Sequence, residues 1–179
     1  MASIFGGLSD AKVTAGGVYF DCPRDAAGKV TGNGLYRVLI KGCKTIVSSR
    51  SRATMFVVEC EIEASNVRHR PKGMNCSQVI DMTQIMGLPN AKAFIAAASG
   101  ADPTATDVNE VITAAWKEVT GRVLSLEDIA ELVVSEKQPL ADLSLKLETV
   151  EIITVGKKQP FTKHLWSPLP DENWSPVGV

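Results

Sequence analysis

The stretch that decides the fold runs from Gly34 to Met82. It opens with Gly34-Leu-Tyr-Arg-Val-Leu-Ile-Lys-Gly-Cys-Lys-Thr-Ile-Val47 and breaks at Ser48-Ser-Arg-Ser-Arg-Ala-Thr54. It resumes with Met55-Phe-Val-Val-Glu-Cys-Glu-Ile-Glu63, breaks again over Ser65-Asn-Val-Arg-His-Arg-Pro-Lys-Gly73, and ends in Cys76-Ser-Gln-Val-Ile-Asp-Met82. In the second run Phe56, Val58, Cys60 and Ile62 alternate with Val57, Glu59, Glu61 and Glu63, the period of a half-buried strand. In the first run Tyr36, Val38 and Ile40 alternate until Gly42 interrupts them, and a glycine inside a strand marks a bulge or bend. Three strands joined by two basic connections are therefore expected.

Downstream the period changes. Asn90 is placed to cap a helix over 91–99, in which Ala91, Phe94, Ile95 and Ala98 share one face and which Gly100 ends. A second helix is expected from about Asp107, with Glu110 completing a capping-box-like pair and Val108, Val111, Ile112, Ala115 and Val119 forming its stripe. A third starts at Ser125, with Asp128 three residues on. Gln138-Pro139 breaks this helical block, which covers about 88–135. Leu143, Leu145 and Leu147 then alternate, and the apolar phase moves near Thr149 to Val150 and Ile152, which predicts another bulge. After the turn Gly156-Lys-Lys-Gln-Pro160 comes a last strand, Phe161–Trp166. Three strands, a helical insert and two strands is the order of an OB-fold, a small partly open five-stranded barrel. The expected class is mainly β with a helical insert, α+β, with the helices between strands three and four. The expected division is an N-terminal extension over 1–33, a barrel domain over 34–166, and a flexible C-terminal tail over 167–179.

The extension is punctuated by glycines. It holds one short run, Val13–Phe20, that reads as an added edge strand, with Tyr19 and Phe20 as its anchors. In the tail Pro168, Pro170 and Pro176 favour extended backbone. There Asp171, Glu172 and Trp174 form an acidic segment with one aromatic, suited to a replication or recombination partner or to the chain's own basic loops. The alternative is that Trp174 packs on the barrel.

Composition bounds the class. A chain of 179 residues, 45% hydrophobic and 22% charged, reads as one ordinary globular domain. No apolar run approaches the length of a membrane span, and the first residues lack the pattern of a signal peptide, so a cytoplasmic protein is expected. Cys22, Cys43, Cys60 and Cys76 form no Cys-x-x-Cys pair, and only His69 and His164 accompany them. Reduced, buried cysteines are expected, with no metal and no cofactor.

Net charge is −1, but it is unevenly spread. From Lys29 to Lys72 nine basic residues stand against three acidic ones, whereas from Ala101 to Glu151 four basic residues stand against eleven acidic ones. A polyanion partner on the basic side follows. The connection over 48–54 alternates hydroxyls with Arg50 and Arg52, and the next supplies Arg68, Arg70 and Lys72. Such groups bond phosphate oxygens from several directions. The connections after strands one and four flank the binding face of an OB-fold. Here they carry Arg50 and Arg52, and Lys157 and Lys158. Arg37, Lys41 and Lys44 on the first strand and Lys163 on the last complete the phosphate candidates, with Tyr36 or Trp166 as the base-stacking ring. Phe56 lies in the apolar phase of its strand and is expected in the core; Phe161 lies near the proposed groove.

No nucleotide-binding P-loop, zinc-protease or serine-hydrolase signature occurs, so no catalytic role is expected. In pattern the chain resembles phage-encoded single-stranded DNA-binding proteins of the OB-fold class. The resemblance rests on Gly34-Leu-Tyr-Arg-Val38, Phe56-Val-Val-Glu59, Asn90-Ala-Lys-Ala-Phe-Ile95 before Ser99-Gly100, and Phe161-Thr-Lys-His164, and it covers about 34–166. It implies a protein that coats single-stranded DNA during phage replication or recombination in the host cytoplasm, without membrane contact. A homo-oligomer is compatible with it. The competing expectation is a virion or other structural interaction protein with a barrel or sandwich and no DNA binding.

Overall fold

The computed structural model describes residues 18–156 and 159–176. Its elements follow in the order β1 (Gly34–Val47), β2 (Thr54–Ser65), β3 (Asn75–Asp81), α1 (Gly87–Ala98), α2 (Val108–Thr120), α3 (Leu126–Val133), β4 (Ser144–Ile152) and β5 (Phe161–Ser167). The strands form one five-stranded antiparallel sheet in the order β3-β2-β1-β4-β5. The chain is thus α+β, with its three helices inserted between the third and fourth strands. The sheet is open: among the described residues no ladder joins its two edge strands, β3 and β5. Four antiparallel pairings in succession leave those two edges running in the same direction.

The alternation read from the sequence sets which face is buried. Tyr36, Val38 and Ile40 of β1, Phe56, Val58, Cys60 and Ile62 of β2, and Leu145 and Leu147 of β4 all point into one core. Helix α1 packs across β5 and β3. Its Phe94 ring meets Trp166 edge-on at 5.1 Å and lies 5.9 Å from Phe56. All four cysteines are free and buried.

The expected bulge at Gly42 is present as a register shift between Ile40 and Gly42, and a second shift lies between Arg37 and Val38. Gln138 fills the break. Its side-chain oxygen accepts from the Cys43 amide at 2.7 Å, and its side-chain nitrogen donates to the Cys43 carbonyl at 2.8 Å. A Cβ on Gly42 would lie 2.9 Å from that oxygen, so a side chain there would push the Gln138 amide from this seat. The bulge expected at Thr149 does not form. β4 keeps register with both neighbours because Thr149 holds the inward phase as a fully buried polar residue, its hydroxyl donating to the Asp21 carbonyl at 2.9 Å.

Helix α1 starts a turn earlier than read. Proline is tolerated in a first turn, where its missing N–H would have no partner. Pro89 therefore sits inside the helix, and the Asn90 amide already donates to the Met86 carbonyl instead of Asn90 capping the end. Helix α2 starts where expected, but Asp107 makes no side-chain cap. Helix α3 has the full capping box between Ser125 and Asp128.

Upstream of β1, Phe20 is buried and meets Tyr36 edge-on at 5.1 Å, while Tyr19 forms a single parallel bridge to Ser77 and stays exposed. The earlier part of the expected edge strand lies outside the described residues. The tail, expected to be loose, is laid on the sheet as far as it is described. The Arg37 guanidinium donates to the carbonyls of Glu172 and Trp174, and the Lys146 ammonium sits 5.2 Å above the Trp174 ring.

Candidate nucleic-acid interface

The expected contact residues fall into three physical groups. The first is interior. Tyr36 is fully buried and its hydroxyl donates to the Asp21 carbonyl. Trp166 is 4% exposed and its indole N–H donates to the Gln78 side-chain oxygen at 2.6 Å. Neither ring offers a face to a base, which corrects the stacking role expected of both. Both lie in the inward phase of their strands, where aromatic volume fills the core between the sheet and α1. Phe56 is buried, as expected.

The second group is paired on the outer face of the sheet. Arg37 meets Glu63 at 3.0 Å, Lys41 meets Glu61 at 3.7 Å, and Lys44 meets Glu59 at 2.7 Å. Alternation puts the cations of β1 and the carboxylates of β2 on the same side, and the antiparallel register sets them across from one another. Each exposed pair is worth only about 0.2–1 kcal/mol. Together, however, they neutralise the face that β1 and β2 present.

The third group is exposed and, among the described residues, forms no ion pair: Arg50 and Arg52 in the β1–β2 hairpin, Arg68 and Lys72 in the β2–β3 connection, and Lys163 on β5. Arg70 differs. It donates to the Tyr19 and His69 carbonyls and so fastens the β2–β3 connection to the upstream segment. His69 does the same through Asp21 at 3.1 Å. Burial opposes ionisation of Asp21, but hydrogen bonds from Arg24, the Cys22 amide and His69 outweigh it and hold the carboxyl down at about 2. Lys157 and Lys158 lie outside the described residues.

Arg52 is one of few non-glycine residues here with left-handed backbone, at φ 55°. The hairpin imposes it: the Arg52 amide donates to the Ser48 carbonyl at 2.8 Å, and the Ser48 amide to the Ala53 carbonyl at 2.9 Å. Glycine or asparagine suits such a position better than arginine.

Register along β1 places the β1–β2 hairpin beyond Val47 and the β4–β5 connection beyond Gly34, at opposite ends of one strand. Curvature of the sheet undoes that separation. Gln78, Ile80 and Asp81 of β3 and Phe161, Lys163 and His164 of β5 line one cleft of about 240 Å³, with Asn90 of α1 at its side. Asp81 pairs with Met55, and the Met82 amide donates to the Thr54 carbonyl, so the base of the Arg50–Arg52 hairpin adjoins one wall. The start of β5, next to the basic β4–β5 turn, forms the other. Phe161, at the start of β5 beside this cleft, is 47% exposed.

Reasoning from sequence missed Gln78, Asn90 and His164. Their only trace there is polarity at strand or helix positions that otherwise read apolar. Among the described residues no group of three His, Cys, Asp or Glu side chains is placed to hold a metal ion. No helix among them is long and apolar enough to cross a membrane. In comparison with known proteins, no family model matches the chain and no curated protein matches it by sequence.

Proposed function

We propose that the chain binds single-stranded DNA with little sequence preference, on an OB-type barrel whose β3–β5 seam is a cleft rather than a ladder. It would serve phage DNA replication or recombination. The strand order and the shared direction of β3 and β5 support the barrel, since those are the edges a five-stranded OB barrel brings together. The observation that carries the function is the division of the cations. Those on the flat of the sheet are spent on Glu59, Glu61 and Glu63. Of the expected contact residues, those that form no ion pair among the described residues stand in the hairpin beside the cleft, on β5 beside it, and in the β2–β3 connection. A flexible single strand can follow such a curved line of charge, whereas a stiff duplex cannot. Trp174 packs on the sheet beneath Lys146, so the exposed Asp171 and Glu172 are what the tail offers to replication or recombination proteins.

The test is fluorescence anisotropy with labelled oligonucleotides of one length, single-stranded and duplex. Tighter binding of the single strand, weakened alike for all sequences by Arg50→Ala with Arg52→Ala, is the expected result. Equal affinity for duplex would reject the reading.

A further inference from the structure

We propose that the cleft between β3 and β5 receives one unstacked base of the bound strand; this rests on the single-strand reading above and assigns that strand a specific contact. The cleft holds about 240 Å³, room for a flat ring. Its walls favour a neutral, planar ligand over a phosphate. Asp81 contributes a carboxylate, held in place by the hydroxyl and amide of Thr83 at 2.6 and 2.9 Å, and its negative charge would repel phosphate. Asn90 adds a side-chain amide, which pairs with base edges, while the Gln78 oxygen is already bonded to Trp166.

The chief sign is His164. It lines the cleft, and its Nε2 is buried with no hydrogen-bond partner among the described residues. Buried polar atoms nearly always have partners, so one without any, on a residue that lines a cleft, marks a place that a ligand group reaches once the side chain gives way. Burial also keeps the imidazole neutral at pH 7, with one ring nitrogen to donate and one to accept. On the opposite side of β5, Phe161 and Lys163 are exposed. That side carries an accessible ring and a cation along which the strand can continue past the edge of β5. The strand's phosphates would thus stay outside on the arginines while one base turns in.

The experiment uses the full chain and two oligonucleotides of equal length and charge, oligo-dT and the same backbone with abasic units throughout. Only two histidines occur, so the His164 imidazole signals are readily assigned by NMR with a His69→Gln control. The proposal expects both oligonucleotides to bind, with oligo-dT roughly tenfold tighter. It expects only oligo-dT to shift the His164 resonances. His164→Phe and, separately, Asn90→Leu should then lower oligo-dT affinity toward that of the abasic strand and leave the abasic strand unchanged. If both oligonucleotides bind and the His164 signals stay fixed in the wild type, the cleft holds only water and the proposal falls while single-strand binding stands. Binding of neither would overturn the single-strand reading, and the cleft assignment with it.

Discussion

The indole N–H of Trp166 donates to the side-chain oxygen of Gln78 at 2.6 Å, and in the absence of a ladder this bond ties β5 to β3. Both groups are buried. Gln78→Leu leaves the indole N–H without an acceptor, and an unpaired buried donor costs about 1–3 kcal/mol. Urea unfolding should show that loss as a lower midpoint. An unchanged midpoint would mean that α1 alone holds the seam.

Arg52 is expected to show opposite signs for stability and binding. Glycine relieves the left-handed strain at φ 55° but gains freedom in the unfolded chain, so Arg52→Gly should stabilise by at most about 1 kcal/mol. The same change removes a phosphate contact and should weaken single-strand binding. Thermal denaturation and anisotropy on one preparation check both, and an Arg52→Gly protein that binds as tightly as wild type removes Arg52 from the interface.

The ion pairs on the sheet make a further forecast. Glu59→Gln with Glu61→Gln releases Lys44 and Lys41. Affinity for single-stranded DNA should rise, and the salt slope should steepen by about one unit. Lys41→Ala in the wild-type background should change binding little. A large loss there would show that the pair opens on binding.

How much of this was legible beforehand can be judged from particular residues. Phe56, Val58, Cys60 and Ile62 announced β2 because a strand buried on one face enforces period two. Gly42 announced the bulge for the same local reason, and Ser125 with Asp128 announced α3. Thr149 misled, because a buried threonine with a hydroxyl partner reads as a solvent position. Asn90 misled because a favourable capping residue was weighed above a proline that suits a first turn. Tyr36 and Trp166 were taken for a surface because their alternation says that they share a face but not which face is inside. The cleft could not be read at all. It depends on curvature that brings Asp81 and Phe161 together from strands that do not pair.

His164 carries a pH dependence. Burial lowers its pKa from the usual 6.5 to about 4, with the Thr162 backbone pulling the other way. In the folded protein the ring is therefore neutral between those values, while in the unfolded chain it takes a proton. Stability should be fully present above about pH 6.5 and fall as pH drops toward 4, by roughly 3 kcal/mol at most. Asp21, lowered from 3.8 to about 2, loses its contribution as pH falls between those two values, so the two windows are distinct. Urea midpoints at pH 7.5 and 4.5 should differ for the wild type and much less for His164→Phe. Equal sensitivity in both proteins would show that the imidazole reaches solvent.

The central claim is most directly tested by titrating the purified protein with a single-stranded oligonucleotide at several salt concentrations. With about five phosphates neutralised by Arg50, Arg52, Arg68, Lys72 and Lys163, log K should fall against log salt with a slope of roughly −3.5. The same titration with duplex should give weaker binding throughout. A slope near zero, or no binding at low salt, would contradict the account and favour a structural interaction protein that binds no DNA.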